Sequence, residues 1–147
     1  MPENGRREYH DSGKDKWRVT VVDTGLNTLK GARIKRVEKY LDSEINMVTY
    51  GDGIANVNLK SLLDFHISHG KTITVTGVRP PARFGEIIEE DGHVKVFREK
   101  PQVSQGLING GFMVFNRTLF SYLNVEEECD FERGPLEDLA NEDEVMV

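Results

Sequence analysis

The chain has 147 residues, of which 19 are Lys or Arg and 25 are Asp or Glu, so its net charge is −6 and its pI is near 5.3. This length predicts one domain that buries roughly 70% of its unfolded surface, and the acidic total argues against general nucleic-acid binding. The sequence has no run of ~20 apolar residues and no apolar signal core. Its single cysteine excludes an internal disulfide framework and is typical of a cytoplasmic protein.

The first half of the chain alternates predicted strands and helices. Residues 1–16 are polar and read as a loop, and residues 17–22 are a β-branched run that predicts a strand ending at Asp23-Thr24-Gly25. Apolar positions from Ala32 to Leu41 have near-helical spacing. A second apolar run, residues 45–50, stops at Gly51-Asp52-Gly53.

The second half begins with a helix that Asn58 caps and Gly70 ends, carrying an apolar stripe that includes His66. A strand over 72–76, a hairpin of 84–88 with 94–98, and a strand over 107–115 follow. Two short helices are predicted near 117–123 and 135–141, and the acidic segment 126–144 reads as a solvated face. This order predicts a single α/β domain with a mostly parallel sheet and some antiparallel pairing.

Ligands of open α/β sheets bind beyond the carboxyl ends of strands, where two of the predicted turns lie. In the second turn, flanking glycines allow a sharp bend that brings the Asp52 carboxylate close to a ligand. Such a carboxylate can hold Mg²⁺, which prefers one or two carboxylates plus phosphate oxygens. The alternative is a turn aspartate that accepts a hydrogen bond from its own backbone.

Lys30, Arg33, Lys35 and Arg36 open the first predicted helix, where cations oppose the helix dipole. A bound phosphate would explain them, with Arg33 the best candidate because it lies nearest the Gly25–Gly31 loop. The alternative is a solvated basic face.

Two further segments suit a polyhydroxylated phosphate ester. Glu99-Lys100-Pro101 places an acid beside a base at a strand end, and Asn109-Gly110-Gly111 predicts a bulge or a close backbone approach by a ligand. By contrast, His66 and His69 lack a third ligand for zinc, and His66 is expected to pack in the core.

The sequence contains the motifs WRVTVVDTG, GAR, TYGDG, FH..HGK, PP.RFG, EKP, INGGF and E..PLE.LA, in this order from about Trp17 to Val147. Taken together, they resemble the sugar-1-phosphate nucleotidyltransferase family and its cytidylyltransferase branch. The resemblance implies a Rossmann-like, mixed and mostly parallel sheet flanked by helices, of the nucleotide-diphospho-sugar transferase type. It also implies transfer of CMP from CTP to glucose 1-phosphate, giving CDP-glucose and pyrophosphate, with Mg²⁺ as cofactor and a homo-oligomeric full-length enzyme.

The resemblance also assigns roles to individual residues. Asp52 would be a metal ligand, Arg33 would contact the CTP phosphates, and Lys100 would hold the sugar phosphate. Glucose hydroxyls would be bound by Glu99, by Asn109 and by the Gly110 amide. The same pocket would be lined by Thr24, Gly25 and Tyr50.

The family's N-terminal GGxGTR loop and its later second metal ligand have no match here, so we expect residues 1–147 to be the central part of a longer domain, with little or no turnover alone. Two alternatives remain open: a noncatalytic sugar-phosphate-binding or partner subunit, and a nucleotidyltransferase that uses another nucleoside triphosphate.

Overall fold

The computed structural model describes residues 6–8, 19–80, 85–98 and 106–147. In this part of the chain there are eight strands and three α-helices. The strands are β1 (Arg6–Glu8), β2 (Val19–Val21), β3 (Ile45–Thr49), β4 (Ile73–Val78), β5 (Glu86–Glu90), β6 (His93–Arg98), β7 (Ile108–Asn116) and β8 (Val145–Met146). The helices are α1 (Lys30–Val37), α2 (Leu59–His69) and α3 (Glu137–Asn141), with short 3₁₀ turns at Glu38–Tyr40 and Arg117–Ser121.

Four strands form the main sheet in the order β3-β7-β4-β8. β7 is antiparallel to both of its neighbours, while β4 and β8 are parallel. Three of the four strands therefore run in the same direction, and β7 is the reversed strand between them. This is the mixed, mostly parallel sheet with flanking helices that the sequence predicted.

The N-terminal part differs from the prediction. Arg6–Glu8 is a strand and not a loop, and it pairs with β2 in an antiparallel ribbon. The predicted strand over 17–22 is described over Val19–Val21, but in the described part of the chain it does not belong to the main sheet. A three-residue strand made of charged residues has no hydrophobic alternation, so the sequence carried no signal for β1.

Local signals predicted α2 and the hairpin well. The Asn58 side chain accepts a hydrogen bond from the Ser61 amide at 3.0 Å, and Gly70 ends the helix with φ +67°. β5 and β6 pair through a turn in which Asp91 and Gly92 both have positive φ, as a type I′ turn requires.

The core lies between the main sheet and the C-terminal segment. Its fully buried side chains include Ile73 and Phe115 from the sheet and Leu119, Phe131 and Leu139 from beyond it. The prediction of a solvated face over 126–144 is therefore wrong for Phe131 and Leu139, because a few apolar residues in an acidic segment suffice to dock it.

The end of the chain is fixed to β4. The Glu144 carboxylate accepts hydrogen bonds from the Thr72 amide and hydroxyl, each at 2.8 Å, and the Glu144 carbonyl accepts one from the Ile73 amide at 3.1 Å. β8 follows directly and pairs with β4, an element that the sequence did not predict. A two-residue strand depends on this partner rather than on its own pattern.

Candidate active site

The candidate residues that the structure describes fall into two groups, one around the start of α1 and one at the neighbouring strands β3 and β7. Thr24, Gly25 and Arg33 belong to the loop that precedes α1 and to the helix itself. Tyr50 and Asp52 follow β3, and Asn109 and Gly110 lie in β7, the strand next to β3. The remaining two candidates, Glu99 and Lys100, lie outside the described residues.

Arg33 binds the loop that precedes its own helix. Its guanidinium donates to the Thr24 hydroxyl at 2.7 Å, to the Thr28 carbonyl at 2.7 Å and to the Leu26 carbonyl at 3.2 Å. All three acceptors are neutral, and no carboxylate pairs with Arg33 among the described residues. The charge is therefore not offset there, and part of the guanidinium's donor capacity is still available.

Arg36 fixes the same loop from the other side. It donates to the Thr24 carbonyl and to the Thr28 hydroxyl, each at 2.8 Å, and to the Val125 carbonyl. Gly25 has φ +91°, and a Cβ there would lie 2.5 Å from the Thr28 hydroxyl oxygen. The loop thus needs glycine at this position, and the two arginines hold its shape.

The start of α1 is partly used by the acidic segment. The amides of Leu29 and Ala32 donate to the carbonyls of Glu127 and Cys129, at 2.8 and 3.1 Å. A Cβ on Gly31 would lie 2.7 Å from the Asp130 carbonyl oxygen, so the two backbones touch. These two backbone amides therefore bond to the acidic segment and are not available to a bound phosphate.

Asp52 is exposed in the turn after β3 and has no hydrogen-bond or ion-pair partner among the described residues. The alternative for Asp52 was an aspartate that bonds to the backbone of its own turn. The structure shows this arrangement at Asp23 instead, whose carboxylate accepts a hydrogen bond from the Gly25 amide at 2.9 Å. The sharp turn expected here is present, since the Gly53 amide donates to the Tyr50 carbonyl at 3.3 Å, but neither Gly51 nor Gly53 has the positive φ that only glycine readily adopts. The space beside Gly51 is open, because no atom lies within 4 Å of a Cβ added there.

The predicted bulge is present in β7. Val75 pairs with Met113 and Gly77 pairs with Asn109, so β7 contains two more residues than β4 between these two pairs. Gly111 has φ +77°. A Cβ on Gly110 would lie 2.9 Å from the Thr76 carbonyl oxygen. The backbone that approaches Gly110 in the structure therefore belongs to β4.

Tyr50 connects the β3 and β7 candidates to Glu132, the first residue of the E..PLE.LA motif, to which the sequence assigned no role. The Asn109 amide donates to the Tyr50 hydroxyl at 3.3 Å, and that hydroxyl donates to the Glu132 carboxylate. Lys30 pairs with the same Glu132 oxygen at 2.5 Å and lies 5.0 Å from the centre of the Tyr50 ring. Glu132 is 82 residues from Tyr50, so no local pattern could have indicated this contact.

Burial and, next, the hydrogen bond to Glu132 raise the pKa of the Tyr50 phenol above its ordinary value. The hydroxyl is therefore protonated at neutral pH and acts as a donor to the carboxylate.

His66 is a core residue, as predicted. It is 1% exposed, its Nδ1 lies 2.8 Å from the Thr74 hydroxyl, and its Nε2 lies 3.2 Å from the Asn116 side-chain oxygen. Both ring nitrogens are thus occupied by protein atoms. Catalysis by this imidazole would require the core to open.

The donor chemistry at Asp52 fits a divalent cation that is held mainly through phosphate oxygens, since one exposed, unpartnered carboxylate is available there. No group of three or more His, Cys, Asp or Glu side chains within the described ranges could hold a metal without a ligand's help. None of the helices in these ranges is long and apolar enough to cross a membrane.

The chain is similar in sequence to known proteins of one family. The chain is 42% identical over its whole length to the glucose-1-phosphate cytidylyltransferase of Salmonella typhi, and the alignment covers 57% of that enzyme. Over 89% of the chain it is 41% identical to the probable glucose-1-phosphate cytidylyltransferase of Bacillus subtilis, covering 51% of that protein. The chain thus spans about half the length of these relatives.

Solved structures show the same fold. HddC from Yersinia pseudotuberculosis, complexed with GMP-PN, superimposes with a TM-score of 0.53 at 22% identity, over 77% of this chain and 50% of that one. A putative glucose-1-phosphate thymidylyltransferase from Bacillus anthracis gives 0.52 at 16% identity, over 81% and 51%. The family model for nucleotidyl transferases matches residues 8–143. The chain belongs to the nucleotidyl transferase family.

Proposed function

We propose that this chain forms the metal-binding and sugar-phosphate-binding part of a glucose-1-phosphate cytidylyltransferase, which makes CDP-glucose and pyrophosphate from CTP and glucose 1-phosphate. The observation that carries the proposal is the 42% identity to the Salmonella typhi enzyme along the entire chain. The unpartnered Asp52 carboxylate next to the Tyr50–Asn109 contact supports it, because these groups suit a phosphate-bound cation and a sugar, respectively.

The proposed chemistry needs no general base. A phosphate oxygen of glucose 1-phosphate attacks the α-phosphorus of CTP, the bond to the β-phosphate oxygen breaks, and pyrophosphate leaves with that electron pair. The nucleophile is already an anion, so catalysis consists of aligning it and offsetting negative charge.

Each candidate residue has a role in this proposal. Asp52 would hold Mg²⁺, which supplies charge stabilisation to the phosphates when it is bound. Arg33, whose acceptors are all neutral oxygens, would direct its remaining donors to the CTP phosphates beside Thr24 and Gly25. Lys100 would pair with the sugar phosphate.

The sugar would lie at the β3–β7 edge. Glu99, Asn109 and the Gly110 amide would bind glucose hydroxyls, with Tyr50 lining the same pocket. Asn109 is exposed and lies within hydrogen-bond distance of Tyr50, so its amide is both accessible and oriented.

Calorimetry on the 147-residue chain tests the proposal. Glucose 1-phosphate should bind, and Lys100→Ala should weaken it about tenfold or more, since a charged hydrogen bond contributes roughly 1.5–3 kcal/mol. Asp52→Asn should remove the Mg²⁺ dependence of CTP binding. Lys60→Ala, which removes an exposed ion pair on α2, is the matched charge control and should change neither affinity.

A turnover assay on the full-length parent protein then separates the candidate functions, because we expect little or no turnover from residues 1–147 alone. Pyrophosphate release with CTP, glucose 1-phosphate and Mg²⁺ would establish the transfer, and release with dTTP or ATP in place of CTP would overturn the choice of nucleotide. In the 147-residue chain, glucose 1-phosphate binding that is lost in Lys100→Ala, without any CTP binding, favours the second candidate, a noncatalytic sugar-phosphate-binding unit. Absence of all binding would overturn both.

A further inference from the structure

Four side chains from four distant segments meet at the sugar side of the candidate site. They are Lys30 at the start of α1, Tyr50 after β3, Asn109 in β7 and Glu132 in the acidic segment, and we call them the Tyr50 cluster. The contacts run in one line: Asn109 donates to Tyr50, Tyr50 donates to Glu132, and Lys30 pairs with the same Glu132 oxygen.

The directions of these hydrogen bonds follow from the chemistry of the groups. The Tyr50 hydroxyl has a single proton, and it accepts a hydrogen bond from the Asn109 amide nitrogen at 3.3 Å. Its own proton therefore goes to Glu132, a carboxylate that can only accept. The raised pKa of the phenol keeps that proton in place at neutral pH.

Asn109 is fixed from both ends of its amide. Its side-chain oxygen accepts from the Gly111 amide at 2.8 Å, while its nitrogen donates to Tyr50. One N–H and one oxygen lone pair remain unused. A single hydroxyl group, which both donates and accepts, can engage these two remaining sites.

Glu132 is held through one oxygen only. Its Oε1 takes both Lys30 and Tyr50, whereas its Oε2 is buried and finds no donor among the described residues. A buried acceptor without a donor is unfavourable, so packing alone does not explain a glutamate here. Two contacts require an acceptor at this position, the Lys30 ammonium and the Tyr50 hydroxyl, and the Tyr50 hydroxyl is the one that connects Glu132 to Asn109.

We propose that Glu132 is a positioning residue of the sugar-phosphate site: acting through the Tyr50 hydroxyl, it sets the orientation of the Asn109 amide and thereby the affinity for the sugar's hydroxyl groups. The inference rests on the proposed function and adds to it a residue from the acidic segment. It makes that segment part of the site that the β3 and β7 ends form.

The test compares glucose 1-phosphate with inorganic phosphate, which has no sugar hydroxyls. Calorimetry on the full 147-residue chain should show that Glu132→Ala weakens glucose 1-phosphate about tenfold, the effect expected when one hydrogen bond of roughly 1.4 kcal/mol is lost. Inorganic phosphate should bind as in the wild type. Glu132→Gln keeps an acceptor oxygen for Tyr50 and should stay within about threefold of the wild type.

Tyr50→Phe removes the hydroxyl while leaving Glu132 and is the second variant, should Glu132→Ala fold poorly. It should weaken glucose 1-phosphate as much as Glu132→Ala does, and the double variant should be no weaker than either, because both changes break the same connection. Side-chain amide NMR signals of Asn109 should shift on adding glucose 1-phosphate to the wild type and to Glu132→Gln, but not to Glu132→Ala.

The outcomes are distinguishable. If the wild type binds glucose 1-phosphate and Glu132→Ala and Tyr50→Phe bind it equally well, the positioning role is overturned and the proposed function stands. Equal weakening of inorganic phosphate, or a Glu132→Gln as weak as Glu132→Ala, would also overturn it, since these point to general disruption or to charge. If the wild type binds no glucose 1-phosphate, the proposed function fails and the positioning role with it.

Discussion

At the scale of single residues, Gly111 decides how Tyr50 sits in the candidate site. It has φ +77°, a conformation that costs an L-residue with a side chain roughly 1–2 kcal/mol. An added Cβ would also lie 3.2 Å from Cδ2 of Tyr50. The Gly111 carbonyl accepts from the Tyr50 amide at 3.2 Å, so backbone and ring are placed by the same glycine.

Gly111→Ala should therefore lower the free energy of unfolding by about 1–2 kcal/mol, since the backbone must leave its conformation or accept strain. Urea denaturation followed by circular dichroism measures the change. The matched control is Gly51→Ala, where φ is not positive and nothing lies within 4 Å of the added Cβ; it should change stability by less than about 0.5 kcal/mol. Equal effects of the two substitutions would contradict the argument.

At the scale of elements, α2 is attached to the sheet by a directed polar chain as well as by apolar contacts. The Lys71 amide donates to Nδ1 of His69 at 2.9 Å, so the neutral ring carries its proton on Nε2, which lies 2.7 Å from the Thr74 hydroxyl. That hydroxyl in turn contacts His66 at 2.8 Å. A second proton on His69 would face the Lys71 N–H, so the arrangement requires the neutral ring.

The pH dependence of stability follows with a definite sign. Burial first, and then the charges of His66 and Lys71, lower the pKa of His69 from its ordinary value of 6.5, against a weaker opposing effect of Glu144. The unfolded chain therefore binds the proton more readily than the folded one. The stability from the neutral ring should be fully present above pH 6.5 and should be lost as the pH falls through the folded-state pKa.

Urea unfolding between pH 5 and 7.5 checks this. His69→Gln retains a donor and an acceptor but does not titrate, so its free energy of unfolding should vary less with pH than that of the wild type. His93→Gln replaces an exposed histidine of the hairpin and should keep the wild-type slope. A His69→Gln profile parallel to the wild type would refute the role of the ring.

Elements differ in how far the sequence could predict them. α2 carried its own start and stop at Asn58 and Gly70, and the hairpin its own turn at Asp91-Gly92, so local chemistry was sufficient. β1 and β8 have three and two residues, and they exist because β2 and β4 offer edges to pair with. Their signal lies in the partner and not in the segment itself.

The candidate site divides in the same way. Asp52 and Asn109 are candidates because they stand in glycine-rich breaks at strand ends, where ligands of such sheets bind, and their roles stay predictions. Glu132 could not be predicted, because it reaches Tyr50 only after the acidic segment has folded back onto the start of α1. The role of Lys100, adjacent to a proline in sequence, stays a prediction.

At the scale of the whole molecule, the acidic C-terminal part of the chain packs against the basic N-terminal part. Residues 1–40 hold 10 basic and 6 acidic groups, while residues 124–147 hold 1 and 10. The two regions meet where Lys30 pairs with Glu132 and where Arg36 donates to the Val125 carbonyl. Beneath these polar contacts, Phe131 and Leu139 are completely buried against the core. The acidic segment thus covers one side of the hydrophobic core.

Phe131→Ala tests whether the packing of the acidic segment on the core is essential for stability. Phe131 is fully buried in the core cluster, and removing a buried phenyl ring leaves a cavity, so the free energy of unfolding should fall by about 3–5 kcal/mol. This is a large part of the roughly 5–15 kcal/mol available to a domain, and the urea midpoint should drop accordingly. Phe97→Ala makes the same chemical change at a ring that is 61% exposed on the hairpin and should cost at most about 1 kcal/mol. If the two variants unfold at the same urea concentration, the C-terminal segment does not close the core, and Glu132 would then have no fixed platform from which to hold Tyr50.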